Sequence, residues 1–395
     1  MLKRRLLTAL LCVTTFLFTS SVLAAEPAFH MQLIAADNTN SRMISWLTPL
    51  TKDKGYIEYK KTGSTISTKQ PALSYNLDNK TGHKLLLANL QPDTTYQYRL
   101  GSAKDVSNWH TLTTAKPNMP FTALIFGDSQ SFDYGVWGKT LHNAINANPH
   151  AGFFINMGDL VDYEADSQWQ SWYSNASDVV TKIPVAPVLG NHETFLKGAV
   201  KTPPALFTFL LPVPHNGPAN LPGQVYSFTY GPTRFIVLNT QAAELKSWYP
   251  KLLTEEKQYL EKTLSSATEK WKIVLMHKSP LTFTANAPLN DLGSVFIPVF
   301  DKFHVDVVFT AHTHQYARTK PLVNGKSAAK GTLYISTGRS GTKVYPQTKQ
   351  RAQEAAFYNP LDMPNYLTLF VSQKTLTVKC FKQNGKLVDT ITLDK

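Results

Sequence analysis

Two hydrophobic patterns succeed one another along the chain. Over residues 28–115, short strand-like runs recur at 30–36, 42–47, 55–60, 72–77, 84–87, 95–100 and 109–113. Turn residues separate them, and this rhythm predicts a small all-β sandwich. Residues 114–118 then read as a linker, with Pro117 interrupting regular structure. From residue 121 the apolar runs become continuous: 121–126, 153–157, 185–189, 234–238, 273–276 and 305–309. Runs of this kind suit strands covered on both faces. Helical stretches lie between them. Residues 166–182 place Trp169, Trp172, Ala176 and Val179 at helical spacing, and a packed core is the expected use of the two tryptophans. Residues 254–265 form another, where Leu253, Leu260 and Leu264 share a face and Glu255 and Glu256 sit at its positive end. Alternating strands and helices predict a layered α/β domain over 121–395, closed by further strands at 365–395 with a turn at Asn384 and Gly385.

The first 25 residues have a different design. Lys3, Arg4 and Arg5 precede an apolar stretch over 6–22, and Ala24 and Ala25 follow it. That order predicts a cleaved export signal, with an uncleaved membrane anchor as the alternative. An exported, periplasmic or secreted protein with no later membrane span is the expectation. The 395 residues suffice for two domains and a full core, and 11% aromatic residues argue against global disorder. Two cysteines, Cys12 and Cys380, exclude a disulfide framework and a multi-cysteine zinc site. The net charge is 40 − 27 = +13, and falls to +10 without the three basic residues of the leader. Such a balance favours anionic substrates, envelope polymers or nucleic acid, but the positive charges are dispersed, as on a solvated basic surface. No specific nucleic-acid recognition is expected.

Chemistry collects at the ends of the apolar runs. Phe126 leads to Gly127, Asp128, Ser129 and Gln130; Met157 leads to Gly158, Asp159 and Asp162; Leu189 leads to Gly190, Asn191, His192 and Glu193. Met276 leads to His277, and Thr310 leads to Ala311, His312 and His314. Loops at the C-terminal ends of parallel strands are where α/β folds place their sites. Carboxylate, imidazole and amide oxygen together suit two hard-to-borderline divalent or trivalent ions. Taken singly, Asp128 and Asp159 could cap helices, and Asn191 and His192 could make a turn.

In this order the motifs resemble those of the calcineurin-like metallophosphoesterases, and more closely their purple acid phosphatase branch. The likeness includes Val225-Tyr226-Ser227-Phe228-Thr229-Tyr230-Gly231, the run from Trp271 to His277, and His312-Thr313-His314-Gln315-Tyr316-Ala317-Arg318. Gly385-Lys386-Leu387-Val388-Asp389 fits as well. The stretch Leu90-Gln91-Pro92-Asp93-Thr94-Thr95-Tyr96-Gln97-Tyr98 resembles the fibronectin type III signature, with Tyr96 at the tyrosine corner. The resemblance implies an αββα-type sandwich behind a fibronectin-like domain. It implies that Asp159 bridges two metals, Fe, Mn or Zn. Asp128 and His314 would serve the first, and Asn191, His277 and His312 the second. His192 would act beside the substrate as general acid or phosphate contact, oriented by Glu193. The implied reaction is attack on phosphorus by metal-bound hydroxide.

The chain departs from that pattern. Asp162 stands where purple enzymes place a metal-binding tyrosine, with Tyr163 one residue later. Gln130 takes a position where many relatives carry histidine; it could ligate weakly or stand by. Ala311 replaces a glycine, and Asn286, Ala287 and Pro288 occupy the place of a histidine pair. Phosphate contacts would then come from Lys278, Arg318 or Arg339, candidates by location. The readings are an acid phosphatase-type phosphomonoesterase acting on a small phosphate ester, a phosphodiesterase, or a non-catalytic binding protein with an incomplete first metal site.

Overall fold

The computed structural model describes residues 29–395 apart from 78, 103–104, 283–288, 346–349 and 351–352. The segment read as an export signal and the three residues 286–288 therefore lie outside the described residues. No helix among the described residues is long and apolar enough to cross a membrane.

The N-terminal strands sort into two faces. Tyr56–Lys61, Thr68–Pro71, Thr95–Gly101 and His110–Thr113 form a four-stranded antiparallel sheet. Thr68–Pro71 was invisible to hydrophobic pattern because this edge strand is largely exposed and polar. Opposite lie Phe29–Ala35, Arg42–Pro49, Lys80–Leu87 and Leu73–Leu77. Leu33, Ile44, Trp46, Ile57, Tyr98 and Leu112 fill the space between. The hydroxyl of Tyr96 accepts a hydrogen bond from the Gln91 backbone N–H at 2.9 Å, the corner expected from the sequence.

These four strands do not end at the sandwich. Ile34 pairs in parallel with Val185, so they continue into a ten-stranded mixed sheet shared with the α/β domain. The sequence of Arg42–Pro49 explains how. Side chains alternate across a strand, and here Ile44 and Trp46 enter the sandwich core while Met43 and Leu47 enter the larger one.

The remainder of that sheet is built on Val185–Pro187, Phe153–Asn156 and Phe121–Phe126, all parallel, followed by Asn365–Val371, Thr375–Lys382 and Leu387–Asp394, antiparallel. A second, seven-stranded sheet faces it. Thr233–Leu238, Trp271–Met276, Val307–Thr310 and Leu333–Thr337 run parallel at its centre. The core lies between the sheets, where the Phe153 and Phe235 rings sit 5.6 Å apart. The longer helices are Tyr134–Ala147, Asp166–Ser174, Leu252–Ser265 and Asp291–Phe303. The layered α/β fold behind a β-sandwich is thus the observed architecture.

One helix differs from the sequence reading. The stretch 166–182 breaks into Asp166–Ser174 and Ser177–Val180. Asn175 bonds its side-chain amide to the Ser171 carbonyl at 2.9 Å, and Ala176 leaves helical geometry at φ −132°. Such local side-chain bonds compete with helix propagation. Trp169 and Trp172 are fully buried, as expected for core residues.

Replacing Tyr96 with Phe leaves the Gln91 N–H without its partner. Chemical denaturation should show a loss of about 1–3 kcal/mol in stability, with the folded structure unchanged by circular dichroism.

Candidate metal centre

The parallel strands of both sheets end at one edge, and their loops converge there. Asp128 follows Phe121–Phe126, Asp159 follows Phe153–Asn156, and Asn191 and His192 follow Val185–Pro187. From the facing sheet, His277 follows Trp271–Met276, while His312 and His314 follow Val307–Thr310. Asp159, His312 and His314 all adopt positive φ, at 50°, 67° and 60°. Non-glycine residues rarely do so, and such strain concentrates at functional sites. Two glycines make the approach of the loops possible. A Cβ on Gly158 would lie 2.6 Å from His277 Nδ1, and one on Gly190 only 2.2 Å from Asp159 Oδ1.

Two donor groups share Asp159. One is Asp128, Asp159 and His314; the other is Asp159, His277 and His312. Asn191 Oδ1 lies 3.2 Å from His277 Nε2, which places it at the second group. The imidazoles are aimed by the backbone. His277 Nδ1 faces the Met157 carbonyl at 2.8 Å, and His314 Nδ1 faces the Lys343 carbonyl at 2.7 Å. A carbonyl only accepts, so each Nδ1 carries a proton and each Nε2 points inward, the orientation that metal-ligating histidines take.

The electrostatics suit cations. Asp128, Asp159, His277 and His314 are essentially inaccessible to water. Burial works against the ionised Asp159, yet His277 holds its carboxyl well below the usual range. Burial would lower His277, but Asp159 and Asp128 carry it up to about 9. Burial and the adjacent His277 push His312 down to about 4, which keeps it neutral. Asp128 Oδ1 and His312 Nδ1 are buried without a hydrogen-bond partner among the described residues. Buried polar atoms are normally satisfied, and a carboxylate oxygen and an imidazole lone pair left open beside a shared carboxylate fit a pair of metal ions.

Several sequence expectations need correction. Glu193 does not orient His192. Its carboxylate accepts from the backbone N–H groups of Asp159, Leu160, Val161 and Gly190 at 2.7–3.1 Å. Burial, with Asp159 adding repulsion, pushes Glu193 up to about 8 against those four donors. His192 is instead set by the Asp162 carbonyl, 2.6 Å from Nδ1. The Arg339 guanidinium donates to the carbonyls of Pro360 and Gly341. Arg318 forms a two-pronged pair with Asp389 at 2.7 and 3.1 Å. Lys278 is held by Glu244 at 2.6 Å. All three cations already have partners.

Gln130 reaches the first donor group. Its Nε2 lies 3.3 Å from Asp159 Oδ2 and 3.2 Å from His314 Nε2, while its Oε1 accepts from Lys343. Asp162, rather than Tyr163, takes part in the site's ion pairs, with its carboxylate 3.1 Å from Lys343 Nζ. Lys343 is the residue that sequence reasoning missed. It lies on the loop after Leu333–Thr337, and no motif marks it. Tyr345, on the same loop, places its ring 4.5 Å from that of His314.

Comparison with known proteins agrees with this geometry. Residues 121–316 match the calcineurin-like phosphoesterase family, and residues 28–114 match the purple acid phosphatase N-terminal domain. An uncharacterized protein of Mycobacterium tuberculosis is 26% identical over 318 residues, covering 67% of this chain and 60% of that protein. The chain thus spans about three fifths of the length of that relative. The Fe(3+)-Zn(2+) purple acid phosphatase 12 of Arabidopsis thaliana is 26% identical over 364 residues, covering 80% of this chain and 74% of the plant protein. A purple acid phosphatase from yellow lupin seeds shares the fold with a TM-score of 0.79 at 19% identity, over 93% of this chain and 74% of the lupin chain.

Glu193→Ala should release the turn that carries Asp159. The four backbone N–H groups lose their acceptor, so thermal denaturation should show a stability loss of about 3–5 kcal/mol. Metal affinity by calorimetric titration should fall about 10- to 100-fold. Unchanged metal affinity would show that the turn holds its shape without Glu193.

Proposed function

This chain joins the N-terminal domain of the purple acid phosphatases to a calcineurin-like metallophosphoesterase domain, and we propose that it hydrolyses phosphate monoesters with two metal ions. The observation that carries the reading is the single buried carboxylate of Asp159 shared by two donor groups. In this reading Asp128, Asp159 and His314 hold the first ion, with Gln130 at its margin. Asp159, Asn191, His277 and His312 hold the second. When bound, two such ions polarise a water and neutralise phosphoryl oxygens. The iron–zinc pair in the Arabidopsis relative's name supports testing those metals first.

The chain's own residues supply the rest. Asp128, Asp159, His277 and His314 form a floor closed to bulk water, which strengthens every charge interaction above it. His192 stands at the rim of the floor. Its Nδ1–H is committed to the Asp162 carbonyl, and its Nε2 meets the Lys343 ammonium at 3.0 Å. That nitrogen is the atom on which the proton of the leaving alcohol would be held or from which it would be delivered. The backbone N–H of His192 donates to Asp159 Oδ1 at 2.9 Å, so this residue and the shared carboxylate are fixed relative to each other.

Gln130 favours a second reading of the first ion's site. With its Oε1 turned to Lys343, it offers nitrogen rather than oxygen to the donor group. An ion there would be held by fewer atoms, as a binding protein that has lost hydrolysis would show. We also infer export, supported by the basic, apolar and small residues in order over 1–25.

The test compares p-nitrophenyl phosphate with bis-p-nitrophenyl phosphate after reconstitution with iron, zinc or manganese, from acid to alkaline pH. Turnover of the monoester is expected, lost on chelation and nearly abolished in Asp159→Asn, with His192→Ala lowering kcat more than it changes KM. Turnover that survives Asp159→Asn would overturn the assignment. Preference for the diester would replace monoesterase with diesterase, and no turnover with any metal would favour the binding protein.

A further inference from the structure

We propose that Lys343 is the residue that grips the substrate's phosphoryl group and that it selects dianionic monoesters over monoanionic diesters; this rests on the phosphoesterase reading above. The ammonium sits where three loops meet. It lies 3.0 Å from His192 Nε2, 3.1 Å from Asp162 Oδ1 and 3.3 Å from Gln130 Oε1. Because His192 Nδ1 donates to the Asp162 carbonyl, Nε2 is the acceptor and Lys343 the donor. The ammonium therefore stands beside the imidazole assigned to the leaving group and beside the amide that borders the first donor group.

The backbone holds it there. The Lys343 carbonyl accepts from His314 Nδ1, so the same residue fixes a candidate ligand and presents a charge. Its loop is fastened to the loop that carries Asp128 and Gln130. Ser340 and Gly341 donate their N–H groups to the Asp128 carbonyl at 3.0 Å each, Thr342 N–H donates to Ser131 Oγ, and Phe132 N–H donates to Thr342 Oγ1. Arg339 ties the loop's base to Pro360. A charge set this firmly loses little freedom when it binds an anion.

Exposure and charge point the same way. The Lys343 side chain keeps 29% of its surface and Asp162 keeps 45%, so the pair opens to solvent above a closed floor. Lys278, Arg318 and Arg339 have other partners, as described. An exposed lysine–aspartate pair contributes little stability, whereas an ammonium facing a phosphoryl oxygen makes a charge-assisted bond. A monoester offers such a cation two negative charges on three terminal oxygens; a diester offers one charge on two. Asp162 then acts as a stand-in anion that the phosphoryl group must displace.

The experiment uses the full metal-loaded chain, with metal content matched among variants. Inorganic phosphate is titrated by calorimetry, and KM and kcat are measured for p-nitrophenyl phosphate and bis-p-nitrophenyl phosphate. Lys343→Met should weaken phosphate binding and raise the monoester KM by about 10- to 100-fold, with a smaller effect on the diester. Lys343→Arg should restore part of the loss. Asp162→Asn should tighten phosphate binding, since it removes the competing carboxylate. A merely structural pair predicts the opposite for that variant, so weakening by Asp162→Asn to match Lys343→Met would overturn the proposal. So would unchanged phosphate affinity in Lys343→Met. Phosphate bound through Lys343 without any ester turnover would uphold this assignment and remove the phosphoesterase reading; turnover with a silent Lys343→Met would do the reverse.

Discussion

The buried carboxylate of Glu193 holds the centre together. It gathers the N–H groups of Asp159, Leu160, Val161 and Gly190, and so ties the turn after one strand to the loop after the next. Asp159 is thereby kept at a φ of 50° that the chain would not choose alone. The arrangement carries a conflict, because Glu193 and Asp159 are two carboxyl groups in one dry pocket, and burial with the nearby Asp159 makes Glu193 hard to ionise. The four N–H donors on one side and the imidazoles on the other resolve it. Remove either set and buried polar groups are left without their partners, at a cost in stability.

Around this turn the fold works as a jig. Two sheets present the C-terminal ends of parallel strands at one edge, and each strand end contributes a residue whose side chain has little freedom left. Backbone carbonyls of Met157, Lys343 and Asp162 fix three imidazoles in the same tautomer. Positioning of that kind is what allows carboxylate and imidazole to meet within hydrogen-bonding distance without collapsing onto solvent. The N-terminal sandwich is part of the same frame. Its strand Phe29–Ala35 extends the sheet beside Val185–Pro187, the strand that leads to Asn191 and His192.

Much of this was legible in the sequence because its signals are local. Apolar runs ended in Asp128, Asp159, Asn191, His277 and His312, and parallel strands deliver whatever follows them to a common edge. The tyrosine corner was equally local, since Tyr96 bonds to Gln91 five residues earlier. What was not legible depends on contacts far apart in the chain. Arg339 looked available, but its partner Pro360 lies 21 residues on, and Arg318 finds Asp389 71 residues away. Glu193 would orient His192 as a carboxylate often orients a catalytic imidazole, yet on this tight turn the two side chains face different partners: Glu193 the N–H groups of the Asp159 turn, His192 the Asp162 carbonyl. Lys343 carries no motif. Its significance arises only when its loop closes on residues 181 and 151 positions earlier, Asp162 and His192. The replacement of tyrosine by Asp162 was visible as a departure, and the structure supplies its consequence: a carboxylate paired with a lysine in place of a phenol.

The shared Asp159 carboxylate is the central claim, and anomalous X-ray diffraction from crystals of metal-reconstituted protein tests it most directly. Two anomalous peaks are expected, one on each side of Asp159, with His314 and Asp128 at the first and His277, His312 and Asn191 at the second. A single peak, or two peaks that do not share Asp159, would contradict a centre built on one bridging carboxylate.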